Sequence, residues 1–366
     1  MPMHAWSIAL LLTLALALLC LLGWFAARRR APQVPAADPT PSVPAPGTAT
    51  AATHAPDDAA AAYRAACADA QQRLYAIAFG GEAAEAAATP SVQEAIARTV
   101  RAQLQQIAEQ PNYAPRRPML LPRLIQAMRD DEVSRRELAR IIATDPVLAG
   151  NLVRLANSPV YRHSDAPIES LDRAVAVLGT EGMRSLTTAA LLQPVFRISG
   201  RHFAHFGEIT WQHTFLSASA AESHAAVVEN SDPFAAQLLG LIMGLATIVI
   251  FRVASDVYIE RRSVPVAGTI AGLIDAELVP VSRQIATSWE LSERVDIALA
   301  DQAAAPGAEL SSLGRSLQFG RFAGALALLR SRRLIDDEAA AAALRTGGRE
   351  AEVFTRIWTR LSASPS

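Results

Sequence analysis

The sequence predicts an all-α protein: a multi-helix domain preceded by one transmembrane helix and a helical hairpin. Three observations point there. Apolar residues recur at i, i+3, i+4 and i+7 through most of the chain, the spacing that lines them up on one helical face. Helix punctuation is dense, with a capping box at Ser134 to Glu137, a start at Asp145-Pro146 and a stop at Gly179. No stretch alternates apolar and polar residues over the length of a strand, and no internal repeat is present.

Composition narrows the function classes. The 366 residues carry a formal net charge of -1, so no global field favours nucleic acid. Every basic side chain is arginine. Of the two cysteines, Cys20 lies in an apolar run and Cys67 stands alone, so they form no disulfide framework and suit a reducing compartment.

Residues 1–7 read as a short external N-terminus. Residues 8–27 are almost wholly apolar, and twenty helical residues span roughly 30 Å, the hydrocarbon thickness of a bilayer. Arg28, Arg29 and Arg30 follow at once, while no arginine precedes the run, which puts the C-terminal side in the cytoplasm. A secretory leader would carry its charge before the apolar run instead. The sequence thus predicts a single-pass protein of the inner (cytoplasmic) membrane. Residues 28–58, rich in Pro, Ala and Thr, read as an extended linker.

Residues 59–114 form a helical segment. One helix is predicted from Asp58 to about Phe79, with Tyr63, Cys67, Ala70 and Leu74 on one face and Gly80-Gly81 as its end. A second starts near Ser91 and carries Val92, Ile96, Val100, Leu104 and Ile107. The pair either packs on the next domain or forms a hairpin of its own.

Leu120 to Leu192 organises the chain. Leu121-Pro122 opens it. After Asp145-Pro146, Leu148, Leu152 and Leu155 make a buried stripe that Asn157-Ser158-Pro159 stops. Asn157 is expected to cap its helix and tie down the following loop. Ser170 caps a third helix with Ala174, Val175 and Leu178, and Gly179 is its left-handed terminus. Thr180 caps a fourth, with Met183, Leu186 and Ala190 on one face.

These residues resemble the HDOD family. The resemblance rests on Leu121-Pro122, Asp145-Pro146, Arg154-Leu155-Ala156-Asn157-Ser158, Tyr161, and Ile168-Glu169-Ser170-Leu171 running to Leu178-Gly179. It implies an all-helical bacterial signalling domain related to HD metal-dependent phosphohydrolases, here over residues 115–305, followed by C-terminal helices over 306–366.

Beyond it, Val195 to His205 reads as a polar joint and Trp211 to about Val228 as a helix. Asp232-Pro233 starts a helix to about Val257. Its apolar middle, Leu238 to Phe251, is 14 residues, shorter than a bilayer span, and therefore reads as buried in the domain. Pro265 and Gly272 interrupt the next segment. Helices are predicted at Val279 to Trp289, Leu291 to Ala300, Gly320 to Arg332, Asp336 to Arg345 and Glu350 to Leu361.

The resemblance also implies where chemistry would lie. HD phosphohydrolases hold a divalent metal with a first histidine, a histidine-aspartate pair on a later helix and a final aspartate, and the metal lowers the pKa of its water. Here Trp211 and His213 match the first position, but Met243 and Gly244 stand where the pair would be. A thioether is a poor ligand for a hard cation, and glycine offers none. A metal among His202, His205 and His213 is the less favoured alternative to plain packing or surface histidines. Phosphate loops, nucleophile elbows and C-x-x-C pairs are absent. The sequence therefore predicts no enzyme, no metal and no cofactor, and a membrane-tethered adapter that binds a protein partner. The alternatives are a binder of a nucleotide second messenger in the degenerate cleft and, last, an active phosphohydrolase.

Overall fold

The computed structural model describes residues 55–80, 89–107, 146–157 and 202–345, with short runs and single residues between 113 and 198, and Trp358. The segment read as a transmembrane helix, the linker up to residue 54, the Ser134 capping box, and Leu121, Pro122, Asp145, Ser158 and Leu171 lie outside the described residues; residues 55–58, read as the end of the linker, are helical instead. Everything regular among the described residues is helical, and all of it belongs to one compact unit, Thr53–Ser366.

The helices are α1 (Ala55–Ala78), α2 (Pro90–Leu104), α3 (Pro146–Ala156), α4 (Phe206–Val227), α5 (Pro233–Glu260), α6 (Ala267–Ser288), α7 (Glu293–Ala300), α8 (Ser312–Ser331) and α9 (Asp337–Arg345). A short 3-10 turn, Asp301–Ala303, follows α7. At the centre stands α5, packed on α4, α6, α2 and α8. Pro233 at its first turn needs no donor, and Asp232 Oδ1 accepts from the Ala235 amide at 3.0 Å. Its side chains are buried on every face from Ala235 to Ala246, which is the pattern of a core helix.

Small residues let α4 approach two helices at once. A Cβ built on Gly324 of α8 would lie 2.6 Å from the Ser217 backbone nitrogen, and one on Gly320 2.7 Å from that of Ala221. On a neighbouring face, a Cβ on Gly240 of α5 would lie 2.8 Å from Ala218 Cα. Thr214, Ser217, Ala218 and Ala221 follow helical spacing, so one seam of α4 serves both contacts.

The first two helices pack on this core. Leu74, Ala78 and Phe79 are buried, and Tyr63 meets Phe322 of α8 edge to face at 5.2 Å. Gly80 then turns the chain at φ +75°, a left-handed angle that suits glycine. Ile96, Val100, Leu104 and Ile107 are buried as the spacing predicts, against α5 and α6. Val92 is an exception at 43% exposure: in that first turn it is Gln93 that meets α5 and α6, through Tyr258 and Thr269. Of the two arrangements open for this pair, packing on the domain is the one present.

Several boundaries move. The joint before α4 is not simply polar: Phe203 and Phe206 are buried, Phe206 stacks on Phe251 at 4.0 Å, and α4 starts at Phe206 rather than Trp211. At 28 residues α5 is long and apolar enough to cross a membrane, which removes the length argument for burial; 89% of its most apolar window is nonetheless buried in the domain. Helix α6 runs unbroken through Gly272 and Pro280, because Ile270, Leu273, Ile274, Leu278 and Val281 all bury on one side. Helix α8 starts eight residues before the predicted Gly320: Ser311 Oγ accepts from the Gly314 amide at 3.0 Å, and Asp301 Oδ2 takes the Ser311 amide at 2.9 Å.

Candidate functional site

The organising stretch supplies a scaffold. Leu152, Ala156 and Ala174 are fully buried, and Leu178 is half-buried. Of Leu155 the backbone is helical and the side chain lies outside the described residues. Asn157 does more than cap. Its amide donates to Val153 O at 2.9 Å and to Ile168 O at 2.7 Å, while its Oδ1 accepts from the Ile168 amide at 2.8 Å. The side chain thus pairs with Ile168 as a neighbouring backbone would, and closes the loop after α3. Ser170 Oγ accepts from the Arg173 amide at 3.2 Å, and Gly179 sits at φ +66°, both as predicted.

The three positions singled out for chemistry come together. His213 on α4 and Met243 and Gly244 on α5 line one cavity of about 50 Å³ between α1, α4, α5, α6 and α8. Trp211 lies outside it and stacks on Phe215 at 5.6 Å. His202 and His205 are exposed, and among the described residues no three His, Cys, Asp or Glu side chains converge as metal ligands would.

The polar groups of the cavity can be accounted for. His213 Nε2 lies 3.1 Å from the Arg321 carbonyl oxygen, which can only accept, so Nε2 carries the proton. Burial holds the His213 pKa down to about 4, so the ring is neutral. Met243 Sδ accepts from Ser282 Oγ at 3.2 Å. Thr214 stands over Gly244, and a Cβ there would lie 2.7 Å from Thr214 Cβ. The sequence offered no sign of the fifth participant, Arg321 on α8, because α8 lies beyond the stretch that carries the family motifs. Its side chain lines the same cavity, and burial pulls its pKa below the usual arginine range without discharging it. His213 and Arg321 keep some accessible surface although protein surrounds them, and the cavity accounts for it.

This set does not fit a divalent metal. The Nε2 proton is committed to a carbonyl, Met243 is engaged by Ser282, position 244 has no room for a carboxylate, and Arg321 brings a positive charge into the same space. No hydrolytic step through such a metal follows. The volume is also far below the roughly 300–1,000 Å³ of clefts that hold drug-sized ligands, so the cavity does not accommodate a nucleotide.

Comparison with protein families identifies the domain. The HDOD domain model matches residues 114–304, more than half of the chain. Among solved structures the chain is similar to a proposed metal-dependent phosphohydrolase of Shewanella amazonensis, at 16% identity and a TM-score of 0.49, covering 74% of this chain and 98% of the other. It is likewise similar to an HDOD domain protein of unknown function from Geobacter sulfurreducens, at 20% identity and a TM-score of 0.48, covering 75% and 98%. No curated protein matches the chain. Leu121 to Gly179 lie inside the matched span, and the chain belongs to the HDOD domain family.

Proposed function

We propose that this protein is a non-catalytic HDOD signalling adapter. It is tethered to the cytoplasmic membrane by residues 8–27, its C-terminal bulk lies in the cytoplasm, and it acts by binding a protein partner. One observation carries the reading: Thr214 packs over Gly244, at the position where the related phosphohydrolases supply a metal-binding carboxylate. Such a site cannot be refilled without moving α4 away from α5. With the metal-binding position closed, recognition of a partner falls to the outer surface. The tether rests on the apolar run and the arginine step after it.

The test uses the full-length protein purified in detergent. Elemental analysis is expected to show no stoichiometric iron, manganese or magnesium. Cyclic dinucleotides and nucleoside triphosphates are expected to survive incubation at the rate of the buffer control. Stoichiometric metal that disappears together with hydrolysis in His213→Ala would restore the enzyme and overturn the adapter reading.

A further inference from the structure

We propose that the cavity around Arg321 is a binding site for a small inorganic oxyanion of phosphate or sulfate type. The inference concerns a ligand of the domain's interior and does not depend on the tether or the partner.

The first ground is charge. The cavity lining holds no aspartate or glutamate, and its single formal charge is the Arg321 guanidinium. That guanidinium makes no ion pair or hydrogen bond with any described residue. Asp275 attracts it at a distance without touching it, and its Oδ1 accepts from the Tyr75 hydroxyl at 2.6 Å. A largely enclosed cation with no counter-charge in contact is costly, and an anion drawn in beside it lowers that cost.

The second ground is the hydrogen-bond inventory. Thr214 donates to Thr210 O at 2.6 Å, Thr247 donates to Met243 O at 3.0 Å, and His213 Nε2 donates to Arg321 O. What remains is the guanidinium fork, Ser217 Oγ, which is buried without a partner, and the Gln71 and Thr210 side chains. His213 Nδ1 adds an acceptor. Donors in excess of acceptors complement a protonated oxyanion such as dihydrogen phosphate, and the planar fork is the side chain suited to it.

The third ground is size. A volume of about 50 Å³ admits a small ion and is far below the roughly 300–1,000 Å³ of sites for larger ligands.

The experiment is equilibrium dialysis of the full-length protein in detergent against radiolabelled inorganic phosphate, with chelator present and ionic strength held by chloride. The expected result is saturable binding at a single site per chain, displaced by sulfate. Arg321→Met should weaken it by roughly tenfold or more, because the charge-assisted bonds are lost. Ser217→Ala should weaken it less. If Arg321→Met does not fold, Arg321→Lys replaces it, and it should also bind more weakly because it loses the fork. Absence of saturable binding to the wild type, or affinities unchanged in the folded Arg321 and Ser217 variants, would overturn the proposal.

Discussion

Thr214 on α4 fills the space that any side chain at position 244 of α5 would need, with the two Cβ positions 2.7 Å apart. Real Cβ atoms do not approach so closely, so the helices would have to separate. Gly244→Ala gains about 1 kcal/mol of helix propensity but overpacks a tight seam, at about 1–3 kcal/mol. Gly244→Asp adds a buried carboxylate and should cost more. Urea unfolding should rank wild type above Gly244→Ala, and Gly244→Ala above Gly244→Asp. An Asp variant as stable as wild type would mean that α4 and α5 part easily.

The α4–α8 contact is less forgiving. A Cβ on Gly320 would lie 2.5 Å from the Ser217 carbonyl oxygen, and one on Gly324 2.6 Å from the Ser217 nitrogen. Backbone atoms in a helix cannot rotate away as a side chain can. Gly320→Ala and Gly324→Ala are therefore expected to cost at least as much as Gly244→Ala, in the upper part of the range of about 1–3 kcal/mol or beyond. Thermal unfolding of the three variants side by side checks the order.

Asn157 replaces a stretch of backbone pairing with one side chain. Asn157→Ala deletes bonds to Val153 and Ile168 and leaves the Ile168 amide and carbonyl without their partner. The expected loss is about 1–3 kcal/mol. Asn157→Asp keeps the acceptor for the Ile168 amide but loses the donor, so it should fall between. Hydrogen exchange at Ile168 should accelerate in both variants, and protection unchanged there would contradict the pairing.

How much of this was legible follows from where each signal resides. Asp232-Pro233, Ser170, Gly179 and Gly80 are local signals: their chemistry acts within a turn, and each sits in the structure as its residue type implies. Helix boundaries governed by tertiary packing were not readable. Nothing local says that α6 should continue through Pro280, or that glycine-rich Ser312 to Gly320 should be helix; both are held by what they pack against. Gathering His213, Met243 and Gly244 into one place was legible through the family resemblance. Arg321 was not, because an arginine on a helix reads as a solvated face until the neighbouring helix closes over it.

Two histidines make stability depend on pH. Burial holds both His213 and His224 down to about 4, against an ordinary value of 6.5. His224 is enclosed between Phe319, stacked at 4.5 Å, and Ser316 Oγ, 3.1 Å from its Nδ1. Between the two values the unfolded chain binds more protons than the folded one, so stability rises with pH there. The contribution is fully present above about pH 6.5 and is lost as pH falls towards about 4, with a slope of about 1.4 kcal/mol per pH unit for each histidine. Denaturant midpoints at pH 5 and pH 7 should differ accordingly. His224→Gln should reduce the slope, and a slope that it leaves unchanged would mean that His224 protonates without penalty.

The proposed membrane attachment could fall on either of two apolar segments. Residues 8–27 have the length of a span and are followed by Arg28 to Arg30, whereas α5 is longer but has 89% of its most apolar window inside the domain. Were α5 inserted in a bilayer, the seams that pack it against α4 and α6 would have to open, exposing the glycines and alanines that now meet there. Deleting residues 1–30 should therefore release the chain from carbonate-washed membranes, with its helical circular-dichroism signal intact. A reporter fused after Ser366 should be active in the cytoplasm of the full-length protein, and changing Arg28, Arg29 and Arg30 to glutamate should scramble that orientation. Retention of the deletion variant in the washed membrane would shift the anchor to α5, and periplasmic activity of the fusion would reverse the topology.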